Sequence, residues 1–139
     1  MTDHDEIFDN QLPESLEAEL ESARILKVKP IRPEDMEFDD VINLGTIKWA
    51  VTVNNDLLII PHTVDSVELA HTVLSQGEPV RAAGEADIAA YEGTFIGLSI
   101  NNHSGHYMPD AASLDTGIKT FAEAGIIFAD ADKQRVGGR

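Results

Sequence analysis

The feature that most limits the fold of this chain is a short stretch in which every second residue is apolar. The alternating apolar positions are Ile47, Trp49, Val51 and Val53. A period of two is typical of a β-strand with one buried face. Residues 54–56 (Asn-Asn-Asp) suit a tight turn, and the apolar run at residues 57–60 ends at Pro61. We therefore predict an antiparallel hairpin over this part of the chain.

Three other segments carry helical patterns. Apolar residues at three- and four-residue spacing among glutamates predict a helix from residue 13 to about residue 26. The pair Asp65 and Glu68 resembles a capping box, which predicts a short helix over residues 66–76. A final amphipathic helix is predicted between a cap at Asp110 or Ser113 and the stop signal Gly125.

The remaining apolar runs predict strands. We expect strands at residues 79–83 and 94–100, and a break or bulge at Gly84 and Glu85 before the first of them resumes at residues 88–90. Residues 126–128 are predicted to add an edge strand. Together these elements predict an α+β fold, in which helices flank a largely antiparallel sheet of four or five strands.

The length of 139 residues suits one compact body preceded by an arm. Two prolines at positions 30 and 33, followed by the acidic residues 34–40, predict an extended linker. We assign residues 1–40 to an acidic N-terminal arm with one amphipathic helix, residues 41–130 to an α+β body, and residues 131–139 to a frayed tail. The acidic start is not a secretory signal peptide, and no apolar run approaches the ~20 residues of a membrane span.

The charge of the chain restricts its partners. The sequence has 25 acidic and 10 basic residues, a net charge of −15, and thirteen of the acidic residues precede residue 41. This balance disfavours non-specific binding to nucleic acid or to anionic lipid. It predicts no membrane partner and suits a basic protein partner, and the lack of a signal peptide predicts a cytoplasmic protein. The absence of cysteine excludes disulfides, thiolate zinc sites and cysteine nucleophiles.

Side chains with useful chemistry are concentrated between the strand at residues 94–100 and the final helix. Residues 101–109 read Asn-Asn-His-Ser-Gly-His-Tyr-Met-Pro, which is more than a plain turn requires. Histidines that exchange a proton, with an arginine that stabilises an anion, are the components of general acid–base catalysis without a cofactor or a metal. We predict catalytic roles for His71, Glu85 and His106, and substrate-binding roles for Arg81, Asn102, Ser104 and Tyr107.

The same stretch permits other chemistry. His103 and His106 have a spacing that can chelate a metal ion together with a distant carboxylate or His71. Ser104 beside a histidine resembles an activated serine, but Asn102 stands where the nucleophile motif has its first glycine. No glycine pattern in the chain matches a phosphate-binding loop or a dinucleotide fingerprint.

Two segments carry a recognisable pattern. Residues 71–85 read HTVLSQGEPVRAAGE and residues 100–109 read INNHSGHYMP, in which the string S-G-H-Y-x-P is the most specific part. Across residues 46–128 the chain resembles C-terminal toxin domains of bacterial polymorphic toxin systems. The resemblance implies a compact effector domain, often a metal-independent ribonuclease with a helix packed on an antiparallel sheet. The acidic composition departs from the basic character usual for domains that cleave RNA. The positions that match are His71, Glu85, Ser104, His106 and Tyr107.

These observations lead to two main hypotheses. The first is a small toxin-effector-like enzyme, a metal-independent ribonuclease that uses histidine and glutamate for general acid–base catalysis on RNA. The alternative is a non-enzymatic acidic binding module, similar to an immunity protein or antitoxin, that masks a basic partner such as a cognate toxin. A third possibility is that residues 1–40 fold over the site of the body as a built-in regulator.

Overall fold

A five-stranded sheet forms the centre of the computed structural model, which describes residues 7–128 and the backbone of residues 133–134. The strands are β1 (Ile47–Thr52), β2 (Leu57–Pro61), β3 (Thr63–Val64), β4 (Val67–Glu68), β5 (Val80–Tyr91), β6 (Thr94–Asn101) and β7 (Lys133–Gln134). The order in the sheet is β2-β1-β5-β6-β7, and β3 pairs with β4 in a separate small hairpin. The first four strands of the sheet are antiparallel, whereas β7 pairs parallel to β6.

Helices cover both faces of this sheet. They are α1 (Leu16–Ile25), which follows a 3₁₀ turn at Pro13–Ser15, α2 (Phe38–Asn43), α3 (Thr72–Ser75) and α4 (Ser113–Glu123). Helices α2 and α4 pack on one face, which we call the α4 face, through Phe38, Leu114 and Phe121. Helices α1 and α3 and the loop around Tyr107 pack on the opposite face, which we call the α1 face. The predicted α+β class is therefore confirmed.

The hairpin predicted from the alternating apolar pattern is confirmed as β1 and β2, in a register that sets Trp49 opposite Ile59. The sequence predicts one buried face, but both faces of β1 are buried because β1 is a central strand with helices on each side. Lys48 is consequently buried on the α1 face, with 6% of the residue exposed. A buried lysine needs partners for its charge, and these partners form part of the site described below.

The prediction of a helix over residues 66–76 is wrong in its first half. Asp65 and Ser66 have positive φ angles of 50° and 68° and form the turn between β3 and β4. Only Thr72–Ser75 is helical. The aspartate that resembles a helix cap instead occupies the left-handed backbone region, which short polar residues tolerate in tight hairpins.

The predicted break at Gly84 and Glu85 is also wrong, because β5 runs without interruption from Val80 to Tyr91. The irregularities in pairing lie elsewhere, at Val51/Thr52 and at Asp87/Ile88. Gly84 is required for a different reason, since a Cβ atom at this position would overlap the backbone carbonyl of Asn101. Its lack of a side chain allows the end of β6 to approach β5 closely.

The structure also bears on three further predictions, all at the ends of the body. Residues 126–128 do not form a strand, although the carbonyl of Ile127 accepts a hydrogen bond from the amide of Gly97. The edge position belongs to β7, the only described part of the predicted frayed tail, whose other residues lie outside the described chain. The predicted linker at residues 34–40 contains the start of α2, and its Phe38 is fully buried in the core.

The N-terminal segment packs closely on the body. Phe8 exchanges two backbone hydrogen bonds with Val80, and Ile31 exchanges two with Ile59. Ala23 of α1 is buried against the α1 face. The division of the chain into an arm and a body stays a prediction, but the structure places residues of the predicted arm in both halves of the core.

Candidate functional site

A pocket of about 380 Å³ opens on the α1 face, at the junction of α1, β1, β4 and the loop after β6. We call it the α1 pocket. Its ionisable lining residues are Glu19 of α1, Lys48 of β1, Glu68 of β4 and His106 of the loop. On the same face of the sheet, Ala50 pairs with Ala83, and two residues earlier in β1 Lys48 pairs with Glu85. The face therefore changes from apolar to charged between these two register positions.

A chain of three side chains crosses the wall of the α1 pocket. The hydroxyl of Thr72 donates a hydrogen bond of 2.7 Å to Oε1 of Glu19. The other oxygen of Glu19, Oε2, contacts Nε2 of His106. Because an ionised carboxylate can only accept, Nε2 of His106 donates to Glu19, and Nδ1 is the nitrogen left for a second partner. Such an arrangement orients an imidazole so that its second nitrogen can accept a proton.

Lys48 connects the α1 pocket to a second group of charges. Its Nζ lies 2.9 Å from Oε2 of Glu68, and its backbone is paired directly with that of Glu85 on the neighbouring strand. The hydrogen bond from Lys48, followed by its positive charge, lowers the pKa of Glu68. The side chain of Lys48 is 8% exposed, whereas that of Glu68 is 61% exposed. The ion pair therefore joins a buried ammonium to a carboxylate that remains in contact with solvent.

His62 and Glu85 lie next to this ion pair. Nε2 of His62 is 3.3 Å from Oε2 of Glu85 and 3.6 Å from Oε2 of Glu68. Nδ1 of His62 lies 2.8 Å from the hydroxyl of Thr63. Glu85 contacts the side chain of Asn101 on β6 at two atoms. The backbone amide of Glu85 donates to Oδ1 of Asn101 at 3.0 Å, and Nδ2 of Asn101 lies 3.5 Å from Oε1 of Glu85. Glu85 is therefore held by a residue of the neighbouring strand, and His62 is held by the residue that follows it in the chain.

His71, one of the predicted catalytic residues, lies in the core. It is 2% exposed, and its Nε2 is 2.8 Å from the carbonyl of Gly84, to which it donates a hydrogen bond. Burial, with a smaller contribution from the charge of Lys48, lowers the pKa of His71 to about 3. The ring is therefore neutral at physiological pH. Its contact joins the residue before α3 to β5, and its catalytic role stays a prediction.

Three predicted substrate-binding residues hold the loop after β6 in shape. Tyr107 is 1% exposed, its hydroxyl donates to the carbonyl of Glu78 at 2.9 Å, and burial raises its pKa. Ser104 accepts from the amide of Tyr107 at 3.3 Å. Asn102, which is buried, donates to the carbonyl of Asp110 at 3.0 Å. These contacts hold the loop that carries His106, and the substrate-binding roles of the three residues stay predictions.

The remaining candidates lie apart from the α1 pocket. Arg81 donates from Nε to the carbonyl of Val53 at 3.1 Å. It is four residues from Glu85 on a continuous strand, which corresponds to roughly 13 Å along the strand. His103 is exposed, and its backbone amide donates a hydrogen bond to the side-chain Oδ1 of Asn101. The structure thus brings His106 and Glu85 to neighbouring charged groups, and it leaves Arg81, His71 and His103 outside them.

Sequence reasoning missed four residues of these groups. They are Glu19, Lys48, His62 and Glu68. Lys48 could have been recognised because it lies within a strongly apolar strand. A charged residue in such a strand either lies at the edge of the sheet or is paired with an opposite charge. Glu19 gave no signal, since it is one of several glutamates on a surface helix and differs from them only in its tertiary contact.

No protein-family model matches this chain, and no curated protein or solved structure matches it either. Within the described residues, no helix has the length and apolar character needed to cross a bilayer.

Proposed function

We propose that the protein is a small enzyme that cleaves RNA by general acid–base catalysis, and that its active site is the α1 pocket. The observation that carries this proposal is the contact between His106 and Glu19 in the wall of a pocket that also contains Lys48. An oriented imidazole beside a cation suits transfer of a proton to or from a group that develops negative charge.

The proposed reaction uses the 2′-hydroxyl of the ribose as the nucleophile. Nδ1 of His106 accepts the proton of the hydroxyl, the 2′ oxygen attacks the phosphorus, and the bond to the 5′ oxygen breaks. The leaving oxygen takes a proton from water in the open pocket, and the proton that His106 then releases neutralises the remaining hydroxide. Glu19 holds the tautomer of His106, and Lys48 offsets the charge that develops on the phosphate oxygens. The products are a 2′,3′-cyclic phosphate and a free 5′-hydroxyl.

The choice of RNA rests on the resemblance to toxin-effector domains. The local charge adds a restriction, because Glu19 and Glu68 oppose Lys48 in the lining of the pocket. A pocket of this balance does not attract a polyanion over long distances, since electrostatic steering needs an excess of positive charge. We therefore expect a low rate of encounter and a short single-stranded substrate, rather than tight binding to duplex nucleic acid.

The test is incubation of the purified chain with short single-stranded RNAs in EDTA, with the products analysed for a cyclic phosphate. A matched RNA with 2′-deoxyribose at each position must resist cleavage. Replacement of Glu19 by Gln should lower the rate at least about tenfold, because an amide can donate to Nε2 and hold the wrong tautomer of His106. Cleavage of the deoxy substrate would contradict the proposed chemistry, and a folded wild-type chain that leaves every RNA intact would refute the proposal.

Single substitutions are the appropriate variants for this test. Deletion of residues 1–40 would remove Ile31 and Phe38, which lie in the core with at most 4% exposure. It would also remove Glu19 from the site. Loss of activity in such a deletion would therefore report unfolding as readily as the loss of a catalytic or regulatory group.

A second candidate function is an acidic binding module for a basic protein. The observation that favours it is a surface around α2 where Met36 and Leu44 are 94% and 68% exposed. Exposed carboxylates lie beside them, at Glu34, Glu37, Asp39 and Asp40. Apolar side chains surrounded by one sign of charge fit a partner with complementary basic residues.

Comparison of two tagged chains tests this candidate. One is the wild type, and the other carries Glu37→Gln, Asp39→Asn and Asp40→Asn. A basic partner that binds the wild type, with affinity that falls steeply with salt and that the variant lacks, would support the binding module. Equal binding by both chains would assign the interaction to a different surface.

A further inference from the structure

A histidine and two glutamates converge beside the α1 pocket, outside the residues that the proposed reaction uses for proton transfer. They are His62, Glu68 and Glu85, and one ligand atom from each lies within 4.8 Å of the other two. We call them the histidine–glutamate cluster. Among the described residues, this is the group of three whose donor atoms come close enough for one metal ion.

The distances within the cluster fit four-coordinate zinc. Zinc binds imidazole nitrogen and carboxylate oxygen at about 2.0–2.2 Å, so two ligands of a tetrahedral site lie about 3.4 Å apart. Nε2 of His62 is 3.3 Å from Oε2 of Glu85 and 3.6 Å from Oε2 of Glu68. The ligand oxygens of the two glutamates lie within 4.8 Å of each other, so a displacement of at most about 1.4 Å brings them to the spacing of zinc ligands. Glu68, whose side chain is 61% exposed, is free enough to make this movement.

The neighbours of the cluster orient its ligands. The Nδ1 of His62 lies 2.8 Å from Oγ1 of Thr63, so Nδ1–H can donate to the hydroxyl while Nε2 faces the carboxylates. Asn101 lies 3.5 Å from the Oε1 of Glu85 and leaves Oε2 towards His62. Metal sites in proteins use such outer hydrogen bonds to fix the tautomer of the histidine and the direction of the carboxylate.

The fold brings these ligands together from three separate elements. Glu85 lies in the middle of β5, His62 follows the end of β2, and Glu68 ends the β3–β4 hairpin. The amide of Leu69 donates to the carbonyl of His62 at 2.9 Å, which holds the returning strand of the hairpin beside the histidine. An ion at this position would therefore connect the small hairpin to the central sheet.

We propose that the histidine–glutamate cluster is a binding site for Zn²⁺, with three protein ligands and a fourth position for water. The ligand set of one nitrogen and two oxygens distinguishes zinc from calcium, which takes six to eight oxygen ligands, and from magnesium, which keeps most of its water. The site is separate from the proton transfer at His106, so it can exist whether or not the chain cleaves RNA.

Lys48 competes with the metal ion for the same carboxylate. Its ammonium lies 2.9 Å from Oε2 of Glu68, which is the oxygen nearest to His62. A zinc ion on this oxygen would be close to a like charge, so Lys48 lowers the affinity of the site. Replacement of Lys48 by Met should therefore tighten zinc binding, which is the opposite of the effect expected from the loss of a ligand.

The experiment is titration of the full-length, EDTA-treated chain with Zn²⁺ by calorimetry, with Mg²⁺ and Ca²⁺ as comparison ions. The variants His62→Asn, Glu68→Gln and Glu85→Gln each remove one ligand, and each should weaken zinc binding at least about 100-fold. Thr63→Val removes only an outer contact and should weaken it about tenfold. The matched controls are His103→Asn, which changes an exposed histidine, and His106→Asn, which changes the histidine of the α1 pocket.

The proposal requires one zinc ion per chain, a loss of affinity in each ligand variant and unchanged affinity in both controls. Absence of zinc binding by the folded wild type would overturn it. Zinc binding that His106→Asn or His103→Asn abolishes, while His62→Asn retains it, would also overturn it. Because His62 and Glu68 are partly exposed, their variants should fold, and a thermal melt in EDTA checks this. RNA cleavage is assayed in EDTA, so failure of either proposal leaves the other result interpretable.

Discussion

Acidification should destabilise the protein through His71, whose ring is buried and neutral. Burial lowers the pKa of this histidine to about 3, whereas a histidine in the unfolded chain has a pKa of about 6.5. Between these values the unfolded state binds a proton that the folded state excludes. The stabilising contribution of the neutral ring is therefore fully present above pH 6.5 and is lost as the pH falls towards 3.

The two pKa values determine the size of this effect. From pH 7 to pH 4.5, the free energy of unfolding should fall by about 2.5 kcal/mol through His71 alone. This is a large part of the stability of a typical small domain, which is about 5–15 kcal/mol. Below pH 6 the slope approaches about 1.4 kcal/mol per pH unit, the value for uptake of one proton on unfolding.

Urea denaturation at several pH values between 7 and 4.5 measures this contribution. The control is His71→Gln, whose amide nitrogen can still donate to the carbonyl of Gly84 but does not titrate. The other histidines and the carboxylates titrate in both chains, so their contributions cancel in the difference between the two. We expect the advantage of the wild type over His71→Gln to shrink by about 2.5 kcal/mol across this range. Parallel stability curves for the two chains would refute the assignment of a buried, neutral His71.

Two other substitutions test the packing that supports the site. Gly84→Ala places a Cβ against the backbone of β6 and should lower the free energy of unfolding by about 3 kcal/mol or more. Gly105→Ala places its Cβ in open space and should change the free energy of unfolding little. Equal urea midpoints for the two variants would contradict the close approach of β5 and β6. Tyr107→Phe removes the hydrogen bonds of the phenol to Ser75 and Glu78 and should cost about 1–2 kcal/mol in urea denaturation, without loss of secondary structure by circular dichroism. A neutral effect would show that the tyrosine hydroxyl does not hold the loop.

Local sequence patterns predicted those elements whose conformation depends mainly on neighbouring residues in the chain. The hairpin of β1 and β2 followed from a period of two and an Asn-Asn-Asp turn, and both are properties of neighbouring residues. The helix predicted over residues 66–76 failed because Asp65 and Ser66 suit a tight turn as well as a helix start. In that segment the β3–β4 pairing decided between two conformations that the local sequence permits.

The candidate site was harder to predict because it depends on register and burial. His71 and His106 look alike in sequence, but one lies under α3 in the core and the other lies at a pocket. The group around Lys48 depends on the pairing of Lys48 with Glu85, 37 positions later in the chain, and a shift of one residue would send Lys48 and Glu85 to opposite faces. The contact of Glu19 with His106 joins residues separated by 87 positions.

The central claim is that His106 transfers a proton in the α1 pocket. The most direct test compares the cleavage rates of a short RNA in EDTA by the wild type, His106→Asn and His103→Asn, since the two variants change histidines of the same loop. We expect His106→Asn to lower the rate about 10²- to 10⁴-fold, which corresponds to the loss of a general base. We expect His103→Asn to cleave at the rate of the wild type. Equal rates for the two variants would contradict a catalytic role of His106.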